Sequence, residues 1–186
     1  TTSLIGKWHL GYLPEFHPLS RGFDKFFGLL AGGSIFIDQS RPDVESVGDW
    51  PLVRTKSNGI HDQYNLVRID DYLTDAFTEQ SVEFIKHEHE KPFFLFLSHT
   101  TPHTPLQATK KYTARYKHLK DPTARVYAAM VASLDESVGA IVNTLSETKR
   151  LKDTLIVFSS DNGCAGYIGV CSNGELSGFK RYHNEG

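Results

Sequence analysis

Two unbroken apolar runs predict buried strands in this chain. They cover residues 93–97, which read FFLFL, and residues 154–158, which read TLIVF. An apolar run of this length without polar alternation is typical of a strand that is covered on both faces, as in a parallel sheet.

Two segments of helical periodicity accompany these runs. Residues 73–89 place apolar side chains among acidic ones, with Thr74 as the expected N-cap, and Pro92 stops the helix. Residues 123–148 predict a longer helix with one apolar stripe, which we interpret as core packing. The stripe consists of Tyr127, Val131, Leu134, Val138, Ile141 and Leu145.

The order strand, helix, strand predicts an α/β layer architecture, with a mostly parallel central sheet flanked by helices. In open α/β sheets, ligands bind at the carboxyl ends of the strands, so the residues after each run are candidates for chemistry. Residues 34–66 contain many Pro and Gly breakers and predict an irregular insertion loop that faces the substrate. Within it, Asn58 and Gly59 indicate a short hairpin.

Charge and composition exclude some classes of function. Twenty Lys and Arg against 22 Asp and Glu give a formal net charge of -2, which favours neither nucleic acid nor an anionic membrane surface. No apolar run reaches the length of a transmembrane helix. Cys164 and Cys171 lie seven residues apart, and this spacing leaves open whether they pair.

Residues 6–11 read GKWHLG and set a cation, Lys7, two residues from an imidazole, His9. In an extended segment, side chains at that spacing point to the same side, and flanking glycines let the backbone come close to a ligand. The pair suits a small tetrahedral oxyanion, but an exposed lysine beside a tryptophan-packed turn explains these six residues equally well.

The first apolar run is followed by two histidines in a proline-rich segment. Residues 98–105 read SHTTPHTP, and the prolines restrict the backbone around His99 and His103. A held imidazole can donate to an oxyanion or act as an acid near neutral pH, and His103 is the candidate for that role. A metal site built from both histidines is the alternative; otherwise His99 is structural.

The second apolar run is followed by oxygen donors. Residues 159–163 read SSDNG, in which Asp161 and Asn162 offer a carboxylate and a carbonyl oxygen, the ligands that calcium and magnesium prefer. An ordinary turn explains the same residues, and two oxygens do not complete a metal site. Lys180 is either a solvated lysine or a second cation for the anion that Lys7 would bind.

Together, these residues resemble the sulfatase family of the alkaline-phosphatase-like superfamily. Residues 6–11 look like the second sulfatase signature, and residues 21–28 match the segment usual after it. Residues 102–105 look like the active-site histidine motif, and residues 161–163 match the metal-binding pair. Residues 178–186 resemble the lysine loop, so the matches occur in family order and span nearly the whole chain.

The resemblance implies a sulfuric ester hydrolase with an alkaline-phosphatase-like layered fold. Asp161 and Asn162 would bind a divalent cation, most often Ca2+, that also holds the substrate sulfate. Lys7, His103 and Lys180 would contact sulfate oxygens and offset charge in the transition state. Family members are usually exported, periplasmic or lysosomal.

The nucleophile of the family is a hydrated formylglycine, made from a Cys or Ser in a Cys-x-Pro-Ser-Arg type motif, and His9 would hydrogen-bond it. That motif is absent from the 186 residues, and so are the early Asp-Asp metal ligands of the family. Both normally lie upstream of the GKWHLG motif. We therefore expect residues 1–186 to be a partial catalytic domain, truncated at both ends, incomplete in its fold and inactive by itself.

Two rival functions stay open from the sequence. A phosphonate or phosphate monoesterase of the same superfamily would hold a phosphoryl group with the same cations. A catalytically silent relative would bind sulfated glycans without cleaving them. The expected partner of the hydrolase is a sulfated small molecule or glycan, with no nucleic acid and no membrane span, and the sequence carries no signal for an oligomeric state.

Overall fold

The computed structural model describes residues 1–49, 55–87, 91–184 and 186 of the chain. Its strands are β1 (Thr2–Lys7), β2 (Lys25–Leu29), β3 (Val44–Val47), β4 (Ile60–Asp62), β5 (Asn65–Val67), β6 (Phe94–Ser98) and β7 (Leu106–Thr109). Its α-helices are α1 (Leu73–Lys86), α2 (Lys110–Thr113) and α3 (Pro122–Glu147). Short 3-10 helices cover Pro14–Phe16, Pro18–Arg21, Ala114–Tyr116, Leu151–Asp153 and Gly166–Ile168.

The main sheet has the strand order β5-β4-β2-β1-β6. Strand β1 pairs in parallel with both β2 and β6, whereas β4 and β5 add an antiparallel edge. Gly6 of β1 has φ +114°, and a Cβ there would overlap the backbone of Ser98 in β6. Only glycine allows this close approach of the two strands. The α/β class predicted from the sequence is confirmed, with a mixed sheet whose strands β2, β1 and β6 are parallel.

The segment 34–66 contains strands rather than one irregular loop. Strand β3 pairs antiparallel with β7 to form a separate two-stranded sheet, and β4 and β5 form a hairpin on the main sheet. That hairpin turns at Gln63, which has φ +55°, so the predicted hairpin position around Asn58 is wrong. Residues 50–54 lie outside the described residues.

Helix α1 confirms the first helical segment but has a different N-terminus. Tyr72 is the N-cap residue and makes no side-chain capping bond, so the prediction of Thr74 as N-cap is wrong. Thr74 is fully buried instead, and its Oγ1 lies 2.5 Å from Thr101 Oγ1. The helix ends at Lys86, and residues 88–90, where its last turn was expected, lie outside the described residues.

Helix α3 confirms the second helical segment but packs with another face. Asp121 is its N-cap and accepts a hydrogen bond from Thr123 N at 2.9 Å. Val131 and Val138 of the predicted stripe are 42% and 37% exposed, so the interpretation of that stripe as core is wrong in part. The face that packs on α1 and β7 is richer in small and hydroxyl side chains. It consists of Val126, Ala129, Met130, Ala132, Ser133, Ser137, Thr144 and Leu145.

The two apolar runs are less buried than predicted. Strand β6 forms, yet Phe94 and Phe96 on one of its faces are 56% and 45% exposed. Residues 154–158, all of them described, form no strand, and Leu155 and Val157 are 89% and 79% exposed. The prediction of two strands covered on both faces is therefore wrong. An apolar run favours burial, but other elements of the structure have to supply the surface that covers it.

The core lies between the main sheet and helices α1 and α3, with Leu29, Phe77 and Met130 fully buried. Within the described residues, no helix combines the length and apolar character that crossing a membrane requires. Because β1, β2 and β6 run parallel, their carboxyl ends at Lys7, Leu29 and Ser98 meet at one edge of the sheet.

Candidate functional site

Lys7 ends strand β1 at the carboxyl edge of the sheet. Its side chain is 12% exposed, and its Nζ donates to Asp161 Oδ2 at 3.1 Å. Asp161 is 67% exposed, which leaves the carboxylate room for a further ligand. This ion pair joins two motifs that lie 154 residues apart in the sequence.

His9 reaches the same place through a left-handed turn. Its φ is +62°, and its N–H donates to Leu30 O at 3.1 Å. The imidazole lies against the backbone of Gly32, where an added Cβ would be 2.5 Å from Nε2. Lys7 and His9 are close, as the sequence predicted, but the reason is this turn and not strand alternation, because β1 ends at Lys7.

The charges around His9 show which groups share the site. Desolvation lowers the pKa of His9 from its ordinary value of 6.5, and the cations Lys7 and Lys180 lower it further. Asp161 opposes this shift in pKa, and His103 adds to it. Residues from four separate segments of the chain are therefore close enough to act on one imidazole. At pH 7 His9 is neutral, and one of its ring nitrogens is a hydrogen-bond acceptor.

His103 lies in the loop between β6 and β7. The peptide bonds Thr101–Pro102 and Thr104–Pro105 are both cis, and His103 N donates to Thr100 O at 2.8 Å. The ring Nδ1 lies 2.6 Å from Thr104 O, and because a carbonyl only accepts, Nδ1 carries the proton. Nε2 is then the ring nitrogen that can exchange a proton with a ligand.

His99 is half-buried and lies apart from this cluster. Its Nε2 lies 2.8 Å from Ser137 Oγ of α3, and burial lowers the pKa of His99 to about 4. The described residues contain no group of three or more His, Cys, Asp or Glu side chains that could hold a metal ion. The structure therefore favours a structural histidine at position 99 over a metal site shared with His103.

Asp161, Asn162 and Lys180 lie in a C-terminal segment whose described residues form no strand. Lys180 N donates to Cys164 O at 2.9 Å, which brings the lysine beside the residues that follow Asp161. Cys164 and Cys171 form a disulfide, so the pairing that the sequence left open is made. Asn162 Nδ2 donates to the carbonyl of the next residue at 2.9 Å, and its Oδ1 is the atom suited to a metal.

The oxygen donors fit a hard divalent cation in kind but are few in number. Calcium takes roughly six to eight oxygen ligands, of which Asp161 and Asn162 offer two side-chain groups. Lys7 Nζ already contacts one oxygen of the Asp161 carboxylate. The described residues bring no third His, Cys, Asp or Glu side chain to this pair, and Glu185 of the predicted lysine loop lies outside them.

Sequence reasoning missed three residues that shape this site. The ring of His9 lies against Gly32, where an added Cβ would be 2.5 Å from Nε2. The ring of His103 lies against Gly33, where an added Cβ would be 3.6 Å from Nδ1. Two consecutive glycines, three residues after the end of β2, were the signal for this close approach. Asn173 is the third, and its side chain links the segment of the oxygen donors to the segment of the lysine.

Comparisons with known proteins agree on one family. The Sulfatase family model matches residues 1–184. The chain is 33% identical to Arylsulfatase J of Mus musculus over 188 residues, which cover 100% of this chain and 30% of that relative. It is 30% identical to N-acetylgalactosamine-6-sulfatase of Homo sapiens over 168 residues, which cover 88% of this chain and 30% of that relative.

A solved structure agrees with these sequence matches. The crystal structure of Ps i-CgsB in complex with k-i-k-neocarrahexaose is 33% identical to this chain, with a TM-score of 0.83. The match covers 100% of this chain and 42% of that one. The chain therefore belongs to the sulfatase family, and the alkaline-phosphatase-like layered fold is confirmed. The chain spans 30% of the length of the two relatives named above.

Proposed function

We propose that the protein containing this chain hydrolyses sulfate esters, and that the chain forms part of its catalytic domain. The observation that carries the proposal is a site in which two lysines, two histidines and an aspartate meet. Two ammonium groups against one carboxylate leave a net positive site, which suits a sulfate ester. Family membership supports a sulfatase over the phosphate monoesterase and the silent binding protein. The five residues are Lys7, Lys180, His9, His103 and Asp161.

Lys7 and Lys180 bind the sulfate group in this proposal. Their ammonium groups offset the negative charge that develops on the sulfate oxygens in the transition state. Lys7 is held in place by its ion pair with Asp161. Because the Lys7 side chain is only 12% exposed, water screens its attraction to a bound anion weakly.

The two histidines take part in proton transfer and hydrogen bonding. When both ring nitrogens of His103 carry protons, its Nε2–H can donate to a sulfate oxygen or to the ester oxygen and pass that proton to the leaving alcohol, while Nδ1 stays engaged with Thr104 O. His9 accepts a hydrogen bond from the nucleophile. Desolvation favours its neutral state, and the surrounding cations favour it further because they oppose another positive charge.

The nucleophile has to come from another part of the protein. Cys164 and Cys171 are paired with each other, and neither lies in a Cys-x-Pro-x-Arg segment. We assign a formylglycine on family resemblance, which would supply the attacking oxygen. A divalent cation, Ca2+ on family resemblance, would draw charge from the sulfate when bound, with Asp161 and Asn162 among its ligands.

A sulfated glycan is the substrate class that we propose. The name N-acetylgalactosamine-6-sulfatase refers to a sugar, and Ps i-CgsB is in complex with k-i-k-neocarrahexaose. In this chain, Leu10, Tyr12 and Leu13 are exposed directly after His9 and offer an apolar rim on which a sugar ring can stack.

Hydrolysis of an aryl sulfate and of a sulfated oligosaccharide by the complete protein tests this function. We expect turnover by the wild type, with kcat roughly 100- to 10,000-fold lower for His103→Ala because the proton donor is lost. Lys180→Ala should lower kcat roughly 100- to 1,000-fold, because one group that stabilises the developing charge is removed.

His118→Ala and Lys120→Ala are the matched controls, because both side chains are exposed in the segment between α2 and α3. They should keep wild-type kinetics. A higher kcat/KM on the corresponding phosphate ester than on the sulfate ester would contradict the proposal.

Calcium binding tests the role of the oxygen donors. Titration calorimetry of the complete protein should show a calcium site that Asp161→Ala weakens more than about 10-fold, because a charged ligand is lost. Asp135→Ala, at an exposed position of α3, should leave the affinity unchanged. Unchanged calcium affinity in a folded Asp161→Ala protein would remove the metal assignment.

A further inference from the structure

The segment that carries Asp161 and Lys180 has little regular structure to hold it. Among the described residues from 154 to 186, the 3-10 helix Gly166–Ile168 is the one regular element. Lys180 nevertheless stays close enough to His9 to lower its pKa. Contacts other than a sheet or helix must therefore set the distance between the lysine and the aspartate.

The side-chain amide of Asn173 connects the two parts of this segment. Its Oδ1 accepts from Cys164 N at 2.7 Å, three residues after Asp161, and its Nδ2 donates to Gly178 O at 2.9 Å, two residues before Lys180. Lys180 N completes the connection with a bond to Cys164 O at 2.9 Å. The planar amide of Asn173 is thus hydrogen-bonded both to the backbone near Asp161 and to the backbone near Lys180.

The position of Asn173 is itself constrained on both sides. The disulfide between Cys164 and Cys171 ends two residues before it. After it, Leu176 N donates to Asn173 O at 3.1 Å, and Gly174 takes φ +63°, where a side chain would be strained. The amide is therefore held in place by the local backbone, and little further entropy is lost when it forms its bonds.

We infer that Asn173 is a positioning residue that sets the distance between Lys180 and the Asp161–Asn162 pair. This role rests on the proposed function, in which those groups bind the sulfate and the cation. A side-chain amide accepts at one atom and donates at another, and neither Ala nor Asp can do both. Asp at this position would place a carboxylate oxygen against the carbonyl of Gly178.

Loss of the amide would leave the bond from Lys180 N to Cys164 O to hold the lysine beside Cys164, and we expect the Lys180 side chain to move away from His9. Because Lys180 lowers the pKa of His9, its departure should raise that pKa. A residue that only stabilised the fold would leave the titration of His9 unchanged in a protein that remains folded. The His9 titration therefore separates a positioning role from a merely structural one.

A double-mutant cycle in the complete protein, assayed on a sulfate ester, tests the inference. We expect Asn173→Ala to lower kcat/KM about 10- to 100-fold. In the Lys180→Ala background the same change should cost less than about 3-fold, because both act through one group. Asn173→Asp keeps the volume and should behave like Asn173→Ala, so it serves if the alanine variant does not fold. Asn143→Ala, at an exposed position of α3, should match the wild type.

NMR titration of the His9 ring in the same proteins, without substrate, gives a readout besides activity. The pKa of His9 should rise in Asn173→Ala and in Lys180→Ala and keep its wild-type value in Asn143→Ala. Additive effects on kcat/KM, or an unchanged His9 pKa in folded Asn173→Ala and Asn173→Asp, would overturn the inference. If the wild type hydrolyses no sulfate ester, the proposed function fails, and the titration alone decides the role of Asn173.

Discussion

At the scale of single residues, His9 depends on a backbone conformation that few side chains adopt. Its φ of +62° lies in the left-handed region, which is uncommon outside glycine. Trp8 N donates to the carbonyl of Leu29, the last residue of β2, and His9 N to that of Leu30, while Trp8 Nε1 donates to Phe16 O at 2.8 Å. These bonds hold the turn, and the turn carries the imidazole over Gly32 to the other charged groups.

Gly32→Ala tests whether this close approach matters. The new Cβ would lie 2.5 Å from His9 Nε2 and 2.6 Å from Cε1, so the ring has to move. We expect roughly 100-fold lower kcat on a sulfate ester, since a misplacement of about 1 Å can cost that much. The free energy of unfolding should change little, and urea unfolding of the same variant measures it.

Gly139→Ala is the matched control for this substitution. Nothing lies within 4 Å of an added Cβ there, and the position is exposed on α3. Alanine is favoured over glycine in a helix by about 1 kcal/mol, so this variant should be slightly more stable and fully active. Equal kcat values for the two variants would mean that the site tolerates a methyl group beside His9.

At the scale of elements, buried hydroxyl groups connect the helices to the histidine loop. Thr78 Oγ1 of α1 donates to Ser137 Oγ of α3 at 2.6 Å, and the same Ser137 Oγ lies 2.8 Å from His99 Nε2. A threonine pair joins α1 to the same loop. The loop that presents His103 is therefore held against two helices.

His99→Gln tests the energetic effect of this half-buried histidine. Burial lowers the pKa of His99 to about 4 from an ordinary 6.5, so between these values the unfolded chain binds a proton that the folded protein does not. The free energy of unfolding therefore falls as the pH falls. Between pH 7 and pH 5, urea unfolding should show a loss about 2 kcal/mol larger in the wild type than in His99→Gln.

Other histidines titrate in the same range, so the comparison between proteins matters more than the absolute slope. His17 and His61 also have lowered pKa values, with desolvation as the largest cause, and both are present in the variant. Asn143→Ala, at an exposed position of α3 and without a titrating side chain, should keep the pH dependence of the wild type. Identical pH dependence in wild type and His99→Gln would show that His99 is accessible to protons in the folded state.

At the scale of the whole molecule, both apolar runs of the sequence leave large side chains exposed. Leu155, Val157 and Phe158 are 89%, 79% and 74% exposed, and Phe94 and Phe96 of β6 are 56% and 45% exposed. Strand β6 is also the last strand at its side of the sheet. Exposed apolar side chains in this number are uncommon on a free monomer surface. They agree with the proposal that the chain is part of a larger catalytic domain.

The 186-residue chain by itself should therefore show no turnover of an aryl sulfate. Both of its cysteines are in a disulfide, it contains no formylglycine motif, and Asp161 and Asn162 supply only part of a metal site. The measurement is an aryl sulfate assay of the purified chain, with the complete protein at equal concentration as the positive control. Turnover by the chain that His103→Ala abolishes would contradict this expectation.

Secondary structure was predictable where it depends on local pattern. The predicted helix at 123–148 agrees with α3 to within a residue, because caps and apolar steps act over a few neighbours. The buried face of α3 was not predictable, since Ser137 is buried through contacts with α1 and His99. The strand prediction for residues 154–158 was wrong for a related reason. The burial of an apolar run depends on a covering surface that other parts of the structure supply.

The sequence by itself determined the chemistry of the candidate groups and the family. Lys7 between glycines, His103 between prolines and Asp161 before Asn162 are recognisable because residue type and backbone restriction belong to short segments. Only the tertiary structure decided which of them meet, through the ion pair of Lys7 with Asp161 across 154 residues and through the amide of Asn173. Distances between segments depend on strand pairing and loop contacts across the whole chain, and no short pattern contains them.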